Sequence, residues 1–258
     1  MRKPFLLYDN RFADAAPTPN VTTADGDYDP LYLSDLRPYT FWKSAVSGQS
    51  VVISVDCGSA KAANTLGIAG HNLFTAGASV SVYASDHQGY GYSVVMAETT
   101  MTSDNVFVAT FSSVSKRYWN VTIENTTVAP IIACLNLGVR LDFPDYPDGP
   151  VTPFEEKVVA DSSDSKAGNL LGVLTRYFPW EAAYKFSHIS GSWYSGLYRT
   201  FWTGHGRLFK SFFWSPSDEI AAAFCRMSNS ASYKPVHRFS TDLIESMDFK
   251  VQGIDYGV

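Results

Sequence analysis

The sequence predicts a mainly β protein: an N-terminal antiparallel β-sandwich (jelly roll), followed by a second β-barrel or meander domain with one short helix. Three observations carry this prediction. From Tyr28 to Leu141, short β-branched or aromatic runs alternate with clusters of Gly, Asn, Asp and Ser. Between Asp142 and Pro153, four prolines interrupt all periodicity. Apolar residues then recur at helical spacing from Trp193 to Trp202.

The chain is long enough for two modest domains, since its 258 residues exceed the usual size of one. Proline removes backbone donors and fixes φ, so neither sheet is expected to continue through the proline-rich segment. We therefore predict an N-terminal arm at 1–27, a sandwich at 28–143, a Pro/Asp/Ser-rich linker at 144–173 and a second β domain at 174–258. The two domains are expected to fold apart.

The sandwich strands are short runs in which apolar and polar side chains often alternate, as in strands with one buried face. They are predicted at Val51–Val55, Val80–Tyr83, Val106–Phe111, Tyr118–Ile123 and Ile131–Leu141. Aromatic and β-branched residues dominate the inner faces of such sandwiches. Trp42, Ile53, Val82 and Trp119 are therefore expected in the core.

The second domain begins with a strand-like stretch, Tyr184–Ile189, followed by the predicted helix over Trp193–Trp202. Gly204 and Gly206 provide the stop signal of this helix. Further strands are predicted at Arg207–Trp214, Ala221–Met227 and Met247–Val251.

Composition excludes some functions and favours self-association. The net charge is -5, from 20 basic and 25 acidic residues with no basic block, so nucleic-acid binding is not expected. No apolar run is long enough for a signal peptide or a membrane span, which predicts a soluble protein made in the cytoplasm. An aromatic share of 15% beside 17% charged residues suggests that other subunits cover some apolar surface.

No catalytic, cofactor-binding or metal-binding residues are predicted. Ser192 and Ser195 lie near His188, but they lack the G-x-S-x-G pattern of a hydrolase. The five histidines form no H-E-x-x-H motif and no pair at i and i+4. Cys57, Cys134 and Cys225 are odd in number and flanked by apolar residues, which indicates buried thiols rather than disulfides or metal ligands.

The loop from Asp86 to Tyr92 is the best candidate for carbohydrate contact. Its His87, Tyr90 and Tyr92 offer aromatic faces that stack on the C–H surfaces of sugars, beside short polar groups that hydrogen-bond hydroxyls. Tyrosine and glycine at a loop tip are also typical of a contact between subunits. Both interpretations stay open at this point.

Four segments of residues 28 to 141 resemble the galactose-binding-like, discoidin-type jelly roll found in phage tail proteins. They are Leu36–Lys43, Val51–Gly58, Gly70–Leu73 and Tyr118–Val121. Residues 174 to 258 resemble, more weakly, the β-barrel domain of phage distal tail proteins, through Tyr184–Ile189, Trp193–Trp202 and Gly206–Trp214.

These resemblances imply a structural virion protein at the tail tip or baseplate of a tailed bacteriophage. Such a protein would form a ring-like homo-oligomer and contact other tail proteins, without enzyme activity or a cofactor. Its subunit interface would include Trp202, Phe212, Phe213 and Trp214. The alternative is a carbohydrate-binding module that attaches to host-surface glycans, and a polysaccharide-cleaving enzyme ranks third because no pair of catalytic acids can be named.

Overall fold

A computed structural model describes residues 2–13, 20–151, 154–218, 220–237 and 242–254. Antiparallel strands dominate them, which confirms the predicted mainly β class. The strands of the sandwich are linked by hydrogen bonds into one continuous sheet. Numbered along the chain, they are β2 (Asn20–Val21), β3 (Trp42–Lys43), β4 (Val51–His71), β5 (Ser79–Ser85), β6 (Ser93–Thr100), β7 (Phe107–Glu124) and β8 (Ile131–Gly138). Their order is β3-β8-β4-β7-β5-β6, and β2 pairs with β4.

The sandwich is built around two long strands, β4 and β7, which pair with each other along most of their length. The predicted strand Val51–Val55 is only the first part of β4. Gly58 has a φ of 70°, and its N–H donates to the Asp56 carboxylate at 2.8 Å. The turn-forming sequence Asp56-Cys57-Gly58 therefore produces an irregularity within β4 and does not end the strand. The register shifts there and again near Ala63, and the strand then continues to His71.

The core of the sandwich contains the residues that the alternating pattern predicts. Trp42, Ile53, Val82 and Trp119 are all fully buried. The Trp119 indole donates a hydrogen bond to the Lys116 carbonyl at 3.0 Å, so its one polar atom is satisfied inside the core. The predicted burial of these four residues is therefore confirmed, whereas the strands predicted separately at Val106–Phe111 and Tyr118–Ile123 belong to the single strand β7.

A second sheet forms the other half of the molecule, which we call the second unit. Its strands are β1 (Phe5–Leu7), β9 (Leu141–Asp142), β10 (Glu155–Glu156), β13 (Pro179–Ser190), β14 (Phe212–Ser215), β15 (Ala223–Met227), β16 (Val236–His237) and β17 (Leu243–Ile254). The order is β10-β13-β17-β15-β14-β1-β9, with β16 on β17. A separate hairpin is formed by β11 (Val159–Asp164) and β12 (Leu170–Tyr177).

The N-terminal segment is not an arm outside the sheets. Phe5, Leu6 and Leu7 are fully buried, and their strand pairs with β14 on one side and β9 on the other. This apolar run is long enough for an interior strand. The sandwich is therefore inserted between β1 and β9 of the second sheet, and independent folding of the two units stays a prediction.

The predicted linker at 144–173 also contains secondary structure. Pro144, Pro147 and Pro150 lie in irregular backbone, whereas Pro153 falls outside the described residues. Beyond them come β10, all of β11 and the start of β12. The Ser and Asp residues that resemble a polar linker instead form one strand of an exposed hairpin.

The predicted helix is present. A helical segment runs from an α-turn at Gly191–Trp193 through a π-helical turn at Tyr194–Tyr198 to an α-helix at Arg199–Gly204. Its buried side chains are Tyr194, Tyr198 and Phe201, whose spacing of four and three residues lines one face. Among the described residues, no helix is long and apolar enough to cross a membrane.

The strand predicted over Arg207–Trp214 is much shorter in the structure. A 3₁₀ turn occupies Gly206–Leu208, and Phe209 follows with a left-handed φ of 53°. A left-handed residue is typical of the end of a helix and interrupts the regular backbone of a strand. Only Phe212–Ser215 then forms β14.

The two units meet at a small apolar interface. It contains Leu7, Ala69, Ala133, Cys134, Phe213 and Phe224. A side chain at Gly67 would come within 2.9 Å of the Phe213 ring, so the interface requires glycine there. The Asn10 amide donates to Leu135 O at 2.9 Å and accepts from Leu137 N at 3.2 Å, which ties the N-terminal segment to β8.

Candidate functional site

The loop between β5 and β6, residues 86–92, lies at one end of the sandwich and has a defined conformation. Gly89 and Gly91 adopt left-handed φ values of 79° and 68°, which glycine reaches at little cost. The Ser85 hydroxyl donates to the Tyr90 carbonyl at 2.7 Å and accepts from the His87 N–H at 3.0 Å. Two hydrogen bonds to one side chain therefore hold both halves of the loop.

The loop presents a flat pair of aromatic rings. The rings of His87 and Tyr90 are stacked, with centroids 4.9 Å apart and an angle of 7° between their planes. Tyr90 is 65% exposed, so one ring face is covered by histidine and much of the residue remains in solvent. His87 and Tyr90, two of the three residues predicted from sequence, thus form a stacked pair that we call the aromatic platform.

Polar groups of the sandwich lie near the loop. Tyr118 of β7 lies opposite Asp56 of β4 on one side and Ser85 of β5 on the other. Arg117 donates to both Asp56 oxygens, at 2.7 and 2.8 Å, and its guanidinium lies 4.9 Å from the centroid of the Tyr118 ring. The Arg117 hydrogen bond lowers the pKa of Asp56, which keeps that carboxylate ionised.

Tyr92 connects the loop to this surface. Burial raises the pKa of its hydroxyl, and Tyr118 and Asp56 lie close enough to contribute. At the other side of the loop, Lys116 forms an ion pair with Asp86. The charged groups around the loop therefore include two ion pairs, and the Tyr92 hydroxyl keeps its proton and can donate a hydrogen bond near pH 7.

Sequence reasoning found the loop but missed Asp56, Arg117 and Tyr118. The Asp-x-Gly at residues 56–58 indicated a turn, and Lys116–Arg117 precede a predicted strand, but nothing in one dimension shows that they meet. The contact depends on the pairing of Asp56 with Tyr118 across β4 and β7, which lie about sixty residues apart. The arrangement can offer hydrogen-bond donors and acceptors beside an exposed ring.

The residues predicted for a subunit interface lie elsewhere. Phe212, Phe213 and Trp214 are fully buried within this chain, which corrects their assignment to an intersubunit seam. Trp202 is half-buried, with its ring centroid 5.9 Å from that of Tyr233. Phe212 and Trp214 belong to the core beneath the helical segment, whereas Phe213, on the opposite face of β14, packs at the interface with the sandwich.

The three cysteines and His71 occupy structural positions. All three cysteines are buried, as predicted, and burial raises the pKa of the Cys134 and Cys225 thiols. His71 is buried between the Leu73 N–H and Asp104, and desolvation lowers its pKa. Within the described parts of the chain, no three His, Cys, Asp or Glu residues are placed to hold a metal ion. Ser190 occupies the N-cap of the helical segment, but its hydroxyl contacts Ser192.

Comparisons with known proteins concern the sandwich half. No protein-family model matches the chain, and no curated protein does. A solved chitosan-binding module from a Paenibacillus chitosanase/glucanase is 17% identical over 50% of this chain and 98% of its own, with a TM-score of 0.44. A family 32 carbohydrate-binding module from Clostridium perfringens, in complex with galactose, is 21% identical over 48% of this chain and 93% of its own, with a TM-score of 0.40.

A third structure is another family 32 carbohydrate-binding module from C. perfringens, in complex with GalNAc-β-1,3-galactose. It is 14% identical over 46% of this chain and 92% of its own, with a TM-score of 0.41. At these identities and scores the likeness says nothing about the ligand of this chain. The predicted resemblance to phage tail-tip and distal tail proteins finds no support in these comparisons.

Proposed function

We propose that this chain is a carbohydrate-binding protein, and that the sandwich binds a saccharide on the platform formed by His87 and Tyr90. The observation that carries the proposal is the exposed, pre-organised Tyr90 ring. An aromatic face carries partial negative charge, which attracts the weakly positive C–H groups on one face of a sugar ring. An exposed ring that is already held in place loses little entropy on binding.

The polar groups near the loop suit sugar hydroxyls. Asp56 accepts hydrogen bonds, Arg117 and Lys116 donate them, and the phenols do both. Because the surface is open and has one fully presented ring, we expect a weak site with a dissociation constant of about 1 mM to 0.1 mM for a short oligosaccharide.

The tail-tip role predicted from sequence is less well supported than this alternative. Three of the four aromatic residues proposed for its subunit interface are buried inside the chain. A role in a virion, the tail tip as its location and contact with other tail proteins stay predictions. Electron microscopy of a parent particle, with the protein located in it, would test them.

The test of carbohydrate binding is a glycan array with the full chain, followed by calorimetric titration of the best ligand. Tyr90→Ala is expected to weaken binding at least about tenfold, which corresponds to 1.4 kcal/mol. Its unfolding free energy should change by no more than about 0.5 kcal/mol, since the side chain is mainly exposed.

Tyr39→Ala is the matched control. Tyr39 is even more exposed than Tyr90, at 75%, and lies near Trp42 in the chain. Trp42 belongs to β3, which pairs with β8 at the end of the sandwich opposite to the loop. Tyr39→Ala should leave the affinity unchanged. The proposal is wrong if no glycan binds, or if the two tyrosine variants bind the best ligand equally.

A further inference from the structure

The hairpin of β11 and β12, which we call the hairpin arm, extends from the second unit with much of its apolar surface exposed. The Asn169 N–H donates a hydrogen bond to the Ser165 hydroxyl, and Gly168 has a left-handed φ. Together they close the turn between the two strands. Among the described residues, β11 and β12 pair only with each other. Its exposed apolar side chains are Val158, Leu170, Leu171, Val173, Leu174 and Phe178.

These side chains lie on both faces of the arm. Val173 and Leu174 are consecutive, so they point to opposite faces, and they are 55% and 65% exposed. An isolated two-stranded hairpin is only marginally stable in water, and natural proteins rarely leave such a hairpin apolar without a covering surface. The arm is therefore a strand pair whose apolar side chains lack a covering surface.

The two edges of the arm differ in charge. β11 carries Asp161 and Asp164, and its remaining inner residues are Ala160, Ser162 and Ser163. The one charged residue of β12 is Arg176, which forms an ion pair with Asp161 across the hairpin. From Leu170 to Thr175, β12 has neither a charge nor a proline, the two devices that usually protect an exposed strand edge.

This difference in charge between the two edges favours pairing through β12 with a second copy of the chain. Two copies of one strand can pair antiparallel about a two-fold axis, so that each edge is its own complement. Such pairing through β11 would bring like carboxylates together, whereas pairing through β12 brings apolar side chains together on both faces. Gly172, which has no atom within 4 Å of the position of a side chain, leaves open space in the middle of this edge.

We propose that the β12 edge at Leu170–Thr175 pairs with the same edge of a second copy of this chain, making a four-stranded sheet from two hairpin arms. The six exposed side chains present roughly 500 Å² of apolar surface in total, divided between the two faces of the arm. This is below the ~800 Å² per partner of a stable interface. The dimer is therefore reversible. This inference goes beyond carbohydrate binding and does not depend on it.

Sedimentation velocity of the full chain over a concentration series tests the proposal. The expected result is a monomer–dimer equilibrium that the double variant Leu171→Lys/Val173→Lys shifts at least about tenfold toward monomer, because like charges then face each other across the axis. Hydrogen exchange at 170–175 should slow as concentration rises. The matched control, Ser162→Lys/Ser163→Lys, adds the same charge to β11 and should keep most of the dimer.

Three outcomes would overturn the inference. They are a chain that is monomeric at every concentration, a dimer that the β12 variant leaves intact, and equal weakening by the β11 and β12 variants. The first points to a different partner for the arm and the second to a different surface. Tyr90→Ala should dimerise like the unaltered chain, so failure of the sugar site and failure of the arm are distinguishable.

Discussion

The sandwich and the second unit fill their interiors with different side chains. The sandwich core is mainly aliphatic, and its few large rings include Trp42 and Trp119. The core of the second unit is a network of aromatic rings, in which Phe143 contacts five other rings and Phe249 also packs on Trp214 at 4.6 Å between centroids. High aromatic content in this half therefore reflects its interior, because rings stacked edge to face fill a small core.

The largest expected effect tests this distinction between core and interface. Trp119→Ala and Trp214→Ala should each lower the unfolding free energy by about 3 to 5 kcal/mol, since both side chains are fully buried. Trp214 should lie at the upper end, because it loses contacts with Phe143, Tyr184 and Phe249. Chemical denaturation measures both.

The same pair of variants can also contradict the comparison. If Trp214→Ala changed the association state and cost the monomer less than about 1 kcal/mol, the aromatic cluster would have to be an intersubunit surface after all.

The second prediction concerns the contact between the two units. A Cβ at Gly138 would lie 1.7 Å from the Asp9 carbonyl oxygen, and backbone cannot move aside as a flexible side chain can. Gly138→Ala should therefore cost about 3 kcal/mol in unfolding free energy. Gly26→Ala is the control, because nothing lies within 4 Å of its added carbon. Equal stability of the two variants would show that the N-terminal segment does not pack against β8.

Prediction from sequence succeeded where a local pattern determines the outcome. Alternation was sufficient to place Trp42, Ile53, Val82 and Trp119 inside, and helical spacing identified the segment ending at Gly204. Prediction failed where the partner is distant in the chain. Nothing local shows that Phe5–Leu7 enters a sheet with residues beyond 210, or that the three aromatic residues of β14 are all buried within the chain.

The candidate site shows the same division. His87, Tyr90 and Tyr92 could be selected because glycine and tyrosine at a loop tip form a local signal. Asp56 and Arg117 could not, because their meeting depends on how β4 pairs with β7 around an irregularity in β4. Register over such a separation is decided by the whole packed sheet rather than by neighbouring residues.

The last prediction concerns a loss of stability at high pH that originates in the second unit and not in the sandwich. Burial raises the pKa of Tyr184 to about 12, and it also raises the pKa of Tyr194 and Tyr198; all three belong to the core of the second unit. The unfolded tyrosine loses its proton near the ordinary pKa of 10.0, whereas the folded one keeps it. Between these two values the unfolded state binds fewer protons, so stability is fully present below pH 10 and falls as pH rises toward 12.

Tyr184→Phe should remove about 2 kcal/mol of that fall, measured as the difference in unfolding free energy between pH 9 and pH 12. Tyr90→Phe, an exposed tyrosine of the sandwich, should leave the fall unchanged; if it removed as much as Tyr184→Phe, alkaline instability would not belong to the aromatic core.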